Sequence, residues 1–247
     1  MKLKNFFRRV IRTLGWEVQR LDNANFEQQV LKDVVRITGA QIALDVGANV
    51  GQWGDLLLET GYRGSLLSFE AIPSIHKILE AHALTSSSLW RVAPCAALGN
   101  ERGKISINVS ANSVSSSILP MRATHFDAEP QSKYIEQRIV DIERLDEVAP
   151  AFLPPDGQLL LKIDTQGYEL EVLKGSSGLL PRIAAIQLEL SLIPLYDGAP
   201  EFAEAISFVQ SLGYELFSII PGFKDRRNGR LLQADGFFIR SGSGSKA

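Results

Sequence analysis

Asp45-Val46-Gly47-Ala48-Asn49-Val50-Gly51 closes a short apolar run, Ile42-Ala43-Leu44, with an acid and two glycines. That order marks a strand that turns sharply into a helix. Glycine permits a tight turn and close approach of the backbone to a ligand, and the helix that follows starts with unpaired N–H groups. Asp55-Leu56-Leu57-Leu58-Glu59 is that helix, and Gly61 ends it. In an open α/β sheet such a turn lies at the carboxyl ends of the strands, where ligands bind.

Downstream the alternation repeats. Leu66-Leu67-Ser68-Phe69-Glu70 is a second strand, Ser74 to Leu84 a helix, and Trp90 to Leu98 a third strand with Pro94 as an awkward member. Alternating strands and helices give a parallel sheet covered on both faces, and right-handed crossovers order these strands 3-2-1. Residues 99–145 break the rhythm: Lys104 to Val109 alternates like a strand, 110–117 is a loop rich in serine, 120–134 is irregular, Ile139-Val140-Asp141 is a short strand and Arg144 to Val148 is helical. An insert of that length often shapes a substrate pocket; the alternative is a surface excursion. The rhythm returns with strand Leu159–Asp164, helix Glu169–Leu180, strand Ala184–Leu190 and helix Glu201–Leu212. The strands Tyr214–Ile219 and Gly236–Arg240 have no helix between them and should pair antiparallel.

The 247 residues, 45% hydrophobic and 22% charged, suit one large α/β domain. A net charge of -2 speaks against a nucleic-acid partner. The single cysteine, Cys95, excludes an intramolecular disulfide and suits a reducing, cytoplasmic setting. With His76, His82 and His125 as the remaining soft ligands, no metal site is assigned. No apolar run reaches membrane-spanning length, and the N-terminus lacks the apolar core of a signal peptide. Leu3, Phe6, Phe7, Val10, Ile11 and Leu14 form an apolar stripe beside Lys2, Lys4, Arg8, Arg9 and Arg12. This basic helix over 3–14 either docks on the domain or makes a peripheral contact with an anionic membrane, at its inner face. Oligomeric state is not legible.

Glu70, nineteen residues after Gly51, suits the hydroxyls of a ribose. Either feature alone is weak, since an acid at a strand end often only caps a helix; in this order they imply a nucleoside-containing cofactor. Asn49-x-Gly51-x-x-Gly54 nearly fits a G-x-G-x-x-G fingerprint, which keeps an NAD(P)-linked oxidoreductase open, as well as a non-catalytic scaffold of the same fold. Against the dinucleotide reading, the loop starts at Gly47, Gly54 falls inside the helix, and the terminal strands pair antiparallel.

The sequence resembles the FkbM-like family of S-adenosylmethionine-dependent methyltransferases. The resemblance rests on Leu44-Asp45-Val46-Gly47-Ala48-Asn49-Val50-Gly51-Gln52, Phe69-Glu70-Ala71, Ala97-Leu98-Gly99-Asn100, Ser115-Ser116-Ser117-Ile118-Leu119-Pro120 and Arg144-Leu145-Asp146. Further along it rests on Leu161-Lys162-Ile163-Asp164-Thr165-Gln166-Gly167-Tyr168-Glu169, Val172-Leu173-Lys174-Gly175 and Leu188-Glu189-Leu190. Phe69-Glu70-Ala71-Ile72-Pro73 departs from the family's usual Phe-Glu-Pro. The resemblance implies an α/β, Rossmann-like class I methyltransferase fold: a mostly parallel seven-stranded sheet, order 3-2-1-4-5-7-6, with an antiparallel last strand and an N-terminal helical extension. The extension covers 1–38, the methyltransferase domain 39–240 with its substrate-side insert at 99–145, and a flexible tail 241–247.

It also implies S-adenosylmethionine as cofactor and O-methylation of a small-molecule or glycan acceptor. Asp45, Gly47, Ala48, Asn49, Gly51 and Gln52 would hold its methionine end and sugar edge, Glu70 and Ala71 the ribose, and Ala96 and Ala97 would lie near the adenine. Lys162, inside an apolar strand, needs a partner; with Glu189 it is either a structural ion pair or a polar floor on the substrate side. Asp164 ends its strand and is a candidate catalytic base, as is His125, whose ordinary pKa suits proton transfer. Ser116 and Ser117 offer hydroxyls to a polyhydroxylated substrate or belong to a plain loop.

Overall fold

The computed structural model describes residues 23–242, so the basic helix expected over 3–14 and the tail from 243 lie outside the described residues. The chain runs α1 (Asn23–Thr38), β1 (Ile42–Val46), α2 (Gln52–Glu59), β2 (Ser65–Phe69), α3 (Pro73–Ser86), β3 (Trp90–Val92), β4 (Ala97–Leu98), β5 (Gly103–Ser110), α4 (Ala123–Ala128), β6 (Tyr134–Glu143), α5 (Leu145–Val148), β7 (Leu159–Ile163), α6 (Glu169–Lys174), β8 (Ile183–Ser191), α7 (Phe202–Ser211), β9 (Tyr214–Pro221) and β10 (Gln233–Arg240).

Seven strands form one sheet in the order β3-β2-β1-β7-β8-β10-β9. β3, β2, β1, β7 and β8 are parallel, and β10 is antiparallel to β8 and β9. Numbered within this sheet alone, the order is 3-2-1-4-5-7-6, as the sequence implies. β1 and β7 are buried along their whole length, which is why both read as apolar runs without alternation. One face packs Leu44, Leu161, Ile186 and Leu188 against Val172, Leu173 and Val209 of α6 and α7. The other packs Ala43, Leu66 and Leu160 under Val30, Leu31 and Val34 of α1 and Leu57 of α2. Leu31 and Val34 are fully buried, and each such side chain contributes about 1.5–3 kcal/mol. Among the described residues no helix is long and apolar enough to cross a membrane.

Several local expectations change. The third strand does not run from Trp90 to Leu98. Pro94 lacks an N–H for a ladder, so β3 ends at Val92 while Ala97-Leu98 joins a second, three-stranded sheet, β4-β6-β5. β6 covers ten residues rather than three, because it pairs with both β4 and β5. The irregular stretch 120–134 contains α4. The helix from Glu169 stops at Lys174 and continues as a 3-10 turn, Ser177–Arg182, that holds Pro181. The last strand begins at Gln233, which places Asp235 on the ladder opposite Glu189.

Candidate active site

The strand order reverses between β1 and β7, and a cavity of about 490 Å³ opens at their carboxyl ends, the usual ligand site of such sheets. The turn after β1 is fixed by contact with β7. Gly47 has φ +73°, and a Cβ there would sit 1.8 Å from the Asp164 carbonyl oxygen. Gly51 and Gly54 serve another purpose: Cβ atoms on them would meet the Trp90 ring at 2.9 and 2.4 Å. The spacing that mimics a dinucleotide fingerprint therefore makes room for an indole.

The cavity lining includes the apolar residues Ala71, Ile72, Ala97, Leu98, Ile107 and Ile118 and the polar groups Glu70, Asn49 and Gln52. Ala48 and Ala96 line it as well. The Glu70 carboxylate accepts the Asn49 N–H at 2.9 Å and the Ile72 N–H at 2.8 Å, one on each oxygen. Burial pushes its pKa up, and those two N–H groups pull it back. A carboxylate with one bond per oxygen keeps lone pairs for two further hydroxyls. Apolar lining residues together with an acid held this way fit a nucleoside.

The serine run forms the roof, and its hydroxyls are engaged within the fold. Ser116 Oγ donates to the Ser113 carbonyl at 2.8 Å and accepts the Ser110 N–H at 3.0 Å. Ser117 Oγ donates to the Gln166 carbonyl at 2.7 Å and accepts the Leu119 N–H at 3.0 Å. Asn49 Nδ2 reaches Ser113 Oγ at 3.0 Å, so the roof is tied to the β1 turn. Ser116 and Ser117 line the cavity, but as scaffold rather than as free hydroxyls.

Beneath the cavity a polar row crosses four strands in register: Ser68, Asp45, Lys162 and Gln187. Indole N–H groups close both ends, Trp90 donating to Ser68 Oγ at 3.0 Å and Trp53 to Gln187 Oε1 at 2.7 Å. Lys162 Nζ lies 3.1 Å from Asp45 Oδ1 and 3.8 Å from Asp164 Oδ2, and donates to the Gly47 carbonyl at 3.1 Å. Burial alone would lower the Lys162 pKa, but Asp45 and then Asp164 reverse that and hold it raised. Burial pushes the Asp45 carboxyl up, against the pull of Lys162. Asp45 is fully buried, so this member of the motif holds the turn from below and does not line the cavity.

Above the row sits a second tier. Gln166, at φ +56°, donates from Nε2 to Asp164 Oδ1 at 2.8 Å and to Glu189 Oε2 at 2.7 Å, and accepts the Tyr196 hydroxyl at 2.6 Å. Glu189 also accepts from Gln233 Nε2 at 2.7 Å; burial, and then Asp164, push its pKa up. It stands behind Gln166 and apart from the Lys162–Asp45 pair. Asp164 lines the cavity, together with Lys162, Gln187, Asp235 and Glu27 of α1.

His125 is not brought to the cavity. Its ring is 3% exposed and packs against Tyr196 and Phe223 at centroid distances of 5.2 and 5.1 Å. Burial lowers its pKa to about 4. A loop histidine placed on titration grounds alone is thus a core ring.

Glu27 and Gln166 had no functional signal of their own in the sequence, although Gln166 lies within the Lys162–Glu169 stretch. Glu27 looks like the solvated face of a helix, and Asp235-Gly236 looks like a turn. Asp235 had one usable sign, an acid leading into the apolar run Phe237-Phe238-Ile239.

A family model described as the methyltransferase FkbM domain matches residues 45–216. Comparison with curated protein sequences finds no match. Among solved structures, the chain is similar to the O-methyltransferase TomG from Streptomyces achromogenes, involved in tomaymycin synthesis and solved with SAM, at 10% identity over 87% of this chain and 80% of that one, TM-score 0.49. It is also similar to the SAM-bound magnesium protoporphyrin IX methyltransferase ChlM from Synechocystis PCC 6803, at 12% identity over 96% and 91% of the two chains, TM-score 0.44. The family match spans well over half of the chain, and the protein belongs to the FkbM methyltransferases, enzymes that use S-adenosylmethionine.

Proposed function

We propose that the protein transfers the methyl group of S-adenosylmethionine to a hydroxyl of a sugar, glycan or natural product. The observation that carries this reading is the set of polar groups in the cavity lining. Asp164, Asp235, Glu27 and the Gln187 amide stand there with the apolar residues and Glu70. Those side chains can accept hydrogen bonds from several hydroxyls and take up a proton. When bound, the cofactor supplies an electrophilic methyl group on a sulfonium. The chain's part is to hold that group and the acceptor in line; positioning of this kind contributes on the order of 7–11 kcal/mol in favourable cases. Glu70 would hold the ribose, with Asn49 and Gln52 nearby, and the Lys162–Asp45 pair keeps the β1 turn seated on β7. Residues 99–145 supply the roof, which supports a substrate-side role for the insert.

The test is a screen for transfer of tritiated methyl from the cofactor to glycans and natural-product alcohols. Label in base-stable ethers is expected; label confined to nitrogen or to base-labile carboxyl esters overturns the hydroxyl reading. For the donor end, Glu70→Ala is expected to weaken S-adenosylhomocysteine binding about 10- to 100-fold in calorimetry, since bonds to a charged group are worth roughly 1.5–3 kcal/mol. Unchanged affinity would remove Glu70 from the ribose role.

A further inference from the structure

We propose that Asp235 is the general base of the methyl transfer, with Glu27 as the neighbour that tunes it. The inference rests on the hydroxyl reading above. Both residues lie outside the span 45–216 that the family model matches, so neither belongs to the shared motifs of the chain. They come from distant parts of the sequence, α1 and β10, and meet in the cavity lining through one amide. Gln187 Nε2 donates to Glu27 Oε1 at 2.9 Å and to Asp235 Oδ1 at 3.4 Å, while Trp53 fixes the Gln187 carbonyl.

The geometry separates Asp235 from Asp164. Asp164 has one oxygen bonded to Gln166 Nε2 at 2.8 Å and the other 3.8 Å from the Lys162 ammonium. Both oxygens of Asp164 are therefore already engaged within the fold. Among the described residues, Asp235 takes only the long bond from Gln187. The groups that face it are Glu27 from α1, Lys162 and Asp164 from β7 and its end, and Glu189 from β8. Burial first, then the charges of Glu27 and Asp164, push its pKa up to about 7. A base works best with a pKa near the operating pH.

In the step, Asp235 takes the proton of the acceptor hydroxyl. The oxygen pair so freed forms the new C–O bond to the methyl carbon, and the C–S bond breaks with its electron pair going to sulfur. One positive charge on the donor and one negative charge on Asp235 are both lost, so charge balances.

The first arm of the test needs no substrate. Carboxyl-13C NMR of the cofactor-free protein, with Asp235→Asn as the difference control, is expected to show a side chain titrating near pH 7 that disappears in the variant. Glu27→Gln should move that midpoint to lower pH, because a neighbouring negative charge is removed. The second arm uses a hydroxyl acceptor from the screen. Asp235→Asn is expected to lower kcat about 10²- to 10⁴-fold, with S-adenosylhomocysteine affinity within about threefold. The acid limb of the wild-type kcat–pH profile should follow the NMR midpoint and shift with Glu27→Gln. A midpoint in the ordinary carboxylate range, or an Asp235→Asn variant that keeps kcat while Asp164→Asn loses the acid limb, overturns the inference and leaves the hydroxyl reading standing. A midpoint near 7 without transfer to any hydroxyl overturns the reading on which the inference rests.

Discussion

His125 shows what one buried ring can do to a pH profile. The unfolded chain takes up a proton near pH 6.5, the folded chain only near 4. The stability that comes from keeping this ring neutral is therefore complete above pH 6.5 and is lost as pH falls towards 4, by on the order of 3 kcal/mol. Glu169 and Asp235, both raised to about 7 chiefly by burial, act in the opposite sense over higher pH. The clean measurement is thus a difference between two proteins. Urea unfolding of the wild type and of His125→Phe should show the variant relatively more stable at pH 4.5 than at 7.5; an equal difference at both pH values would refute a neutral core ring. Gly47 is the second residue where one atom decides. Gly47→Ala adds a Cβ in a left-handed conformation against a carbonyl oxygen at 1.8 Å, and more than about 2 kcal/mol of lost stability is expected by the same unfolding measurement.

At the scale of elements, α1 is held by Val30, Leu31 and Val34 and carries Glu27 into the cavity wall. Leu31→Ala should cost about 2–5 kcal/mol in urea unfolding, the range for a fully buried leucine, and a loss under about 1 kcal/mol would mean that α1 is not docked as described. The elements themselves were legible where periodicity and chain order coincide. The central strands read as apolar runs because helices cover both faces, and the Asp45–Gly51 turn gave its position away through glycines. What escaped was pairing between distant segments. Nothing near Ala97 says that it leaves the main sheet to join β6, and nothing near Glu27 says that Gln187, 160 residues away, will bond it. The state of individual side chains escaped for the same reason. Ser116 and Ser117 offer hydroxyls on paper, but whether those hydroxyls are free depends on Ser113 and Gln166, which only the folded chain brings into contact.

For the molecule as a whole, donor binding and folding are linked. S-adenosylhomocysteine at a hundred times its Kd should add about 2.7 kcal/mol to the stability of the folded state. For a chain of this size that is a rise of about 5–10 °C in Tm, readable by scanning calorimetry, and a nicotinamide dinucleotide should give none. A shift with the dinucleotide instead would contradict the cavity's fit to a single nucleoside. The last strand has a consequence for how the protein is made. β10 does not add to an edge; it lies between β8 and β9 and hydrogen-bonds to both. A ribosome-bound chain that ends before Gln233 leaves one flank of β8 open and gives β9 no neighbour. Its exposed ladder from Ala185 to Ser191 is the kind of edge that other chains pair with. Synthesis must run past Arg240 before the sheet can close between β8 and β9; until then the chain presents the exposed edge that chaperones exist to cover.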